Sequence, residues 1–152
     1  MKNKAYKNTS VNYAKSQTAV VKLLNSRGIY ESRFTNLTDR FALEFRVVEN
    51  GIERPLAVRI VIPIQYKGED EKNRTQELNV LHRVLFYHLK SKFVAIDAGV
   101  TEFMEEFMSH LVIMDKNGTS STMGQVLLPQ YKKAVESGEQ KEFKLLDDGK
   151  KL

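Results

Sequence analysis

Apolar residues in the stretch 71–115 recur at spacings of three and four. Leu81, Leu85, Leu89, Phe93 and Ile96 thereby fall on one stripe of an α-helix that faces a core. Gly99 closes that helix from the position just past its C-terminus. Phe103, Phe107 and Leu111 predict a second helix, with Thr101 placed to cap it and Glu102 in its first turn, where a carboxylate complements the helix dipole. Leu111, Val112, Ile113 and Met114 either continue it as a buried turn or form a short strand.

Upstream, the period shortens to two. In 41–47, Phe41, Leu43, Phe45 and Val47 alternate with Ala42, Glu44 and Arg46, the signature of a strand with one buried and one open face. Strands are also predicted over 30–37 and 56–62. Asn50-Gly51 with Pro55, and Leu37 to Arg40, are turn material that joins the three into an antiparallel meander. Before them, Ala14, Val20, Val21, Leu23 and Leu24 predict an amphipathic helix over 13–27 that stops at Gly28.

After a turn at 115–118, Ser120 or Ser121 is placed to cap a segment that turns Met123, Val126, Leu127 and Leu128 inward. Pro129 predicts a break there, followed by another helix that ends at Ser137-Gly138. Phe143, Leu145 and Leu146 are expected to pack back as an extended tail, leaving 147–152 loose. The resulting expectation is α+β: a flexible basic arm over 1–12, then a single domain over 13–146 built as helix, three-stranded meander and helical C-terminal half.

A length of 152 residues with 41% apolar content suits one core without a metal or disulfide staple. The absence of cysteine removes disulfide frameworks, thiolate zinc sites and a thiol nucleophile. No apolar run approaches the roughly 18 residues of a membrane span. The N-terminus has no apolar core of a signal peptide, so a soluble, cytoplasmic protein without a membrane partner is expected.

Charge changes this picture. Residues 1–30 contain no Asp or Glu, yet carry Lys2, Lys4, Lys7, Lys15, Lys22 and Arg27. Subtracting those six from the chain's 24 basic residues leaves 18 against 19 acidic, so the net charge of +5 is an N-terminal property. A basic arm beside a near-neutral body suits a polyanion such as DNA or RNA. Arg46 and Arg59, with Arg33 and Arg40 near the rim, are expected on the open sheet face, where arginine grips phosphates or stacks on bases. The long helix adds Arg83, Tyr87 and Lys90 on one side. The candidate nucleic-acid-binding residues are therefore Lys2, Lys4, Lys7, Lys15, Lys22, Arg33, Arg46, Arg59, Arg83 and Lys90.

Glu102, Glu106 and His110, with Glu105 beside them, form the one constellation with metal-binding spacing. On a continuous helix Glu106 and His110 stand at i and i+4, and a divalent ion held there would activate water against a phosphodiester. All of these residues come from one predicted helix, whereas a competent site gathers ligands from several elements. There is no Gly-rich phosphate loop, HExxH pair or GxSxG elbow. No cofactor is implied, and a non-enzymatic role is favoured.

The order helix, three antiparallel strands, helix over about 13–97 resembles that of double-stranded-RNA-binding domains. Such domains carry a basic motif at the start of their second helix. Here that stretch reads DEKNRTQELN (70–79) and is acidic, so their RNA-binding residues are not carried over. The phrase KSKFVAIDAGVTEFMEEFMSH (90–110) resembles a group of small proteins encoded by phages, plasmids and bacterial genomes, for which no site residues are defined. The resemblance implies a mobile-element setting. Together these readings lead to a non-catalytic nucleic-acid-binding or accessory protein, with two alternatives: an inhibitor or adaptor module that binds a protein, and a metal-dependent nuclease.

Overall fold

The structure is a computed structural model and describes residues 5–138. It has the expected α+β architecture. Helix α1 (Tyr13–Asn25) is followed by strands β1 (Ser32–Asn36), β2 (Arg40–Val47) and β3 (Leu56–Pro63), then by the long helix α2 (Glu71–Asp97). The strands form an antiparallel sheet in the order β1-β2-β3, with Leu43 opposite Phe34 on one side and Ile60 on the other.

Both helices lie on the side of the sheet that carries Phe41, Leu43, Phe45, Val58 and Ile60, and they bury Val20 and Leu24 of α1 and Leu85, Leu89 and Phe93 of α2 against it. The start of α1 meets Asn79 (Tyr13 N–H to Oδ1, 2.8 Å), its middle meets His82 through Gln17, and the chain just past its end meets Asp97 through Arg27. The two helices therefore run parallel. Asn12 caps α1 by accepting from the Lys15 N–H, and Asp70 caps α2 by accepting from Lys72.

Glu77 sits in the acidic stretch that opens α2, and its buried carboxylate accepts the N–H groups of Gln65 and Tyr66, each at 2.8 Å. A carboxylate at this point tethers the strand-to-helix connection rather than offering charge to solvent.

The remainder corrects several expectations. The second helix is only four residues long, α3 (Phe103–Glu106), capped by Glu102 rather than Thr101. Phe107 leaves helical geometry (φ −103°, ψ 10°) and a 3₁₀ turn follows (Met108–His110). Phe103, Phe107 and Leu111 are nevertheless all buried, and Leu111 forms a β-bridge with Val58 at the outer edge of β3. Pairing with that edge competes with helix continuation and wins.

Strands β4 (Val112–Met114) and β5 (Ser120–Thr122) then form a small hairpin, and α4 (Met123–Glu136) begins with Thr122 as its cap instead of Ser120 or Ser121. This helix runs through Pro129 without a break. Gln125, whose carbonyl loses its donor to the proline, is exposed. No residue of α4 is buried, and Val126, Leu127 and Leu128 face outward. The predicted packing of Phe143, Leu145 and Leu146 falls outside the described residues.

Candidate nucleic-acid interface

The structure separates the predicted cations into two groups on opposite sides of the molecule. Lys2 and Lys4 lie outside the described residues.

On the open face of the sheet, pleating and register bring Arg33, Glu44 and Arg59 into one cross-strand row. Glu44 accepts from Arg33 at 2.6 Å and from Arg59 at 2.9 Å, and Arg59 also donates to the Ser120 hydroxyl at 3.0 Å. The hydrogen bond from Arg33, followed by that from Arg59, holds the Glu44 carboxyl below its ordinary range against the opposing effect of burial. One row away, Arg46 pairs with Glu31 at 3.1 Å. The cleft over this end of the sheet, about 450 Å³, is lined by Glu31, Arg33, Glu44 and Arg46 with Tyr30. Its cations thus already have carboxylate partners.

The helical layer differs. Lys15 and Lys22 are two turns apart on the side of α1 away from the buried Ser16, Val20 and Leu24, and both are exposed. On α2, Arg83, Tyr87 and Lys90 lie away from the buried Leu85, Leu89 and Phe93. Neither α1 nor residues 78–96 of α2 contain a single Asp or Glu, and Asp97 at the end of α2 is paired with Arg27. Among the described residues, none of Lys7, Lys15, Lys22, Arg83 and Lys90 stands in an ion pair, whereas Arg33, Arg46 and Arg59 all do.

Residues 5–12 run along this layer. The Gln76 amide donates to the carbonyls of Lys7 (3.1 Å) and Thr9 (3.2 Å). The Tyr6 ring stacks on Tyr87 with centroids 5.3 Å apart and planes 8° from parallel. The Arg83 guanidinium lies 4.8 Å from the Tyr87 centroid and donates to the Tyr87 hydroxyl at 3.0 Å. The arm's composition marks Tyr6 as its single aromatic residue, but no spacing announces the Tyr87 contact, which joins residues 81 positions apart.

The metal constellation loses its geometry because α3 ends at Glu106. His110 sits in the 3₁₀ turn beyond Phe107, so Glu106 and His110 do not share one helical face. Glu106 is instead taken by Lys92, whose ammonium reaches its carboxylate at 3.1 Å and its carbonyl at 3.0 Å and lies over the Phe107 ring. Burial first, then repulsion from Lys92 and His88, lowers the His110 pKa. Among the described residues no group of three or more His, Asp or Glu side chains is arranged to hold a metal ion.

No helix among the described residues is long and apolar enough to cross a membrane. Comparison of the chain with protein-family models, with curated proteins and with solved structures finds no match in any of the three.

Proposed function

We propose that the protein binds nucleic acid, without catalysis, through the outer side of its α1–α2 layer and the arm laid along it. Lys7, Lys15, Lys22, Arg83 and Lys90 supply the phosphate contacts. The reading rests on one observation: α1 and residues 78–96 of α2 lack acidic residues, and among the described residues Lys15, Lys22, Arg83 and Lys90 stand in no ion pair there, Lys92 alone being taken by Glu106. An acid-free stretch attracts a polyanion because nothing on it repels phosphate, and each neutralised phosphate releases a counterion. Arg33, Arg46 and Arg59 are left out of the interface, since engaging a phosphate would first require breaking their carboxylate pairs. The resemblance of 90–110 to phage and plasmid proteins supports an accessory role in a mobile element acting in the cytoplasm.

Titrating affinity against salt tests this. Five phosphate contacts give a slope of log K on log salt of roughly −3 to −5, depending on strandedness. The Lys15→Gln, Lys22→Gln double variant flattens it by roughly 1.4 to 1.8. A salt-independent interaction, or an unchanged slope in the double variant, refutes the reading.

A protein-interaction role is the second reading, favoured by α4. Leu127, Leu128, Tyr131 and Val135 of that helix are each at least 45% exposed, which is an uncommon arrangement for so apolar a helix. It predicts a specific protein complex that Leu128→Glu disrupts, with no affinity for DNA or RNA.

A further inference from the structure

We infer that Tyr6 is a stacking platform for a base of single-stranded nucleic acid, and that the interface prefers single strands over duplex. The inference rests on the nucleic-acid reading above and specifies its ligand.

Three observations converge on Tyr6. Its backbone is left-handed, at φ 58°, the one non-glycine residue with positive φ among the described residues. A bulky side chain rarely adopts that conformation, because Cβ crowds the backbone, and where one persists something outside the local chain holds it. What holds it is not burial: 42% of the residue remains exposed. The parallel stack on Tyr87 fixes the ring, with Arg83 lying against the same Tyr87. The result is a flat aromatic surface kept at a set height above α2 and left partly open to solvent.

The surroundings supply the rest of the recognition. Lys7 follows Tyr6 in the chain, and Arg83 and Lys90 stand one helical turn to either side of Tyr87, with no carboxylate among the described residues paired to any of them. Cations spaced around an exposed aromatic ring match the alternation of phosphate and base along an unpaired strand. A duplex cannot use the ring in the same way, because its bases are stacked on one another and only their edges face outward. Every base has a π-face, so the platform tolerates sequence and reads strandedness.

The test is equilibrium binding by the full chain to poly-dT, poly-rU and duplex DNA of equal length, about 20 units, at one salt concentration. Labelled-strand anisotropy gives the affinities. Tyrosine emission provides a second readout, because the chain contains no tryptophan to mask its six tyrosines. Single strands are expected to bind more tightly than duplex and to quench tyrosine emission. The poly-dT and poly-rU arms distinguish DNA from RNA as the source of the strand. Tyr6→Leu lowers single-strand affinity about five-fold or more, leaves duplex affinity within about two-fold, and Tyr6→Phe restores it. Equal binding of strand and duplex, or a Tyr6→Leu variant that binds single strands as the unaltered chain does, overturns the inference. If the Lys15→Gln, Lys22→Gln variant still loses affinity in those cases, the nucleic-acid reading survives alone. If the unaltered chain binds none of the three probes, both fail together.

Discussion

The imidazole of His82 lies flat on the ring of Phe41, with centroids 3.9 Å apart and planes 11° from parallel. Tyr13 and Phe34 flank the same imidazole at 5.4 and 5.9 Å, so one side chain of α2 touches α1, β1 and β2 at once. Its Nε2 lies 3.0 Å from the Gln17 amide nitrogen and its Nδ1 lies 2.7 Å from the Leu78 carbonyl. The amide can only donate and the carbonyl can only accept, so the ring is neutral with its proton on Nδ1. A second proton, on Nε2, would find an acceptor only if the Gln17 amide turned over.

Stability should therefore fall with acid. Desolvation lowers the His82 pKa, and burial lowers those of His88 and His110 in the same direction. An unfolded histidine binds its proton near pH 6.5 while the folded ones resist it. The unfolded state thus takes up more protons as pH drops through about 6.5, and stability is lost from there down to the folded-state values, by up to about 1.4 kcal/mol per pH unit for each site. Urea midpoints measured at about pH 7.5 and pH 5 should show the loss, and His82→Leu should reduce its steepness. A midpoint that does not move between the two pH values contradicts this account.

Ser16 makes the opposite prediction, a gain. It is fully buried on the side of α1 that carries Val20 and Leu24, and its hydroxyl has no hydrogen-bond partner among the described residues. Ser16→Ala removes an unpaired polar group and substitutes a better helix former, which should stabilise the fold by about 1 kcal/mol or more. A rise in the urea midpoint with unchanged slope is the expected result. A loss would mean that the hydroxyl is satisfied in solution.

How much of this was legible in the chain depends on the range of the signal. The stripe from Leu81 to Phe93 and the alternation from Phe41 to Val47 are local periodicities, and each became the element it predicted. Phe103, Phe107 and Leu111 also have helical spacing and are buried, yet the helix stops, because Leu111 pairs with Val58, 53 positions earlier. No window of sequence contains that competition. Leu127 and Leu128 failed for a different reason: an amphipathic helix has the same pattern whether or not anything covers its apolar side. Among the candidate cations, the lack of acid beside Lys15 and Lys22 could be read directly, whereas the pairing of Arg33 and Arg59 with Glu44 needed the strand register.

The approach of α4 to the 3₁₀ turn should be intolerant of a side chain. A Cβ built on Gly124 would stand 2.9 Å from the Ser109 carbonyl oxygen and 3.2 Å from the Ser109 Cβ. The carbonyl oxygen belongs to the backbone, so the start of α4 or the turn has to move. Gly124→Ala should cost about 1–3 kcal/mol despite its better helix propensity. A thermal midpoint at or above that of the unaltered chain would show that the contact relaxes freely.

Glu44 keeps the sheet face quiet. As one carboxylate between Arg33 and Arg59, it has its pKa lowered chiefly by the Arg33 hydrogen bond, so its contribution to stability is present above the ordinary carboxylate range and is lost as pH falls through the lowered folded-state value. The pairs are partly exposed, with side-chain exposures of 71% for Arg33, 25% for Arg59 and 23% for Glu44, and Glu44→Gln should cost no more than about 1 kcal/mol. Its electrostatic effect should be larger than its stability effect. Net charge rises from +5 to +6, and two guanidinium groups one strand to either side of position 44 lose their shared counter-charge. If the helical layer is the native interface and the sheet is silenced, Glu44→Gln should add a second, non-specific site: affinity for duplex DNA rises at low salt, and the slope of log K on log salt steepens by about one to two. Combining it with Lys15→Gln and Lys22→Gln should leave that gain intact, because the two surfaces lie on opposite sides of the sheet. A triple variant that gains nothing over the double would mean that both groups of cations serve one continuous site, and the division of the molecule into a binding side and a neutralised side would fail.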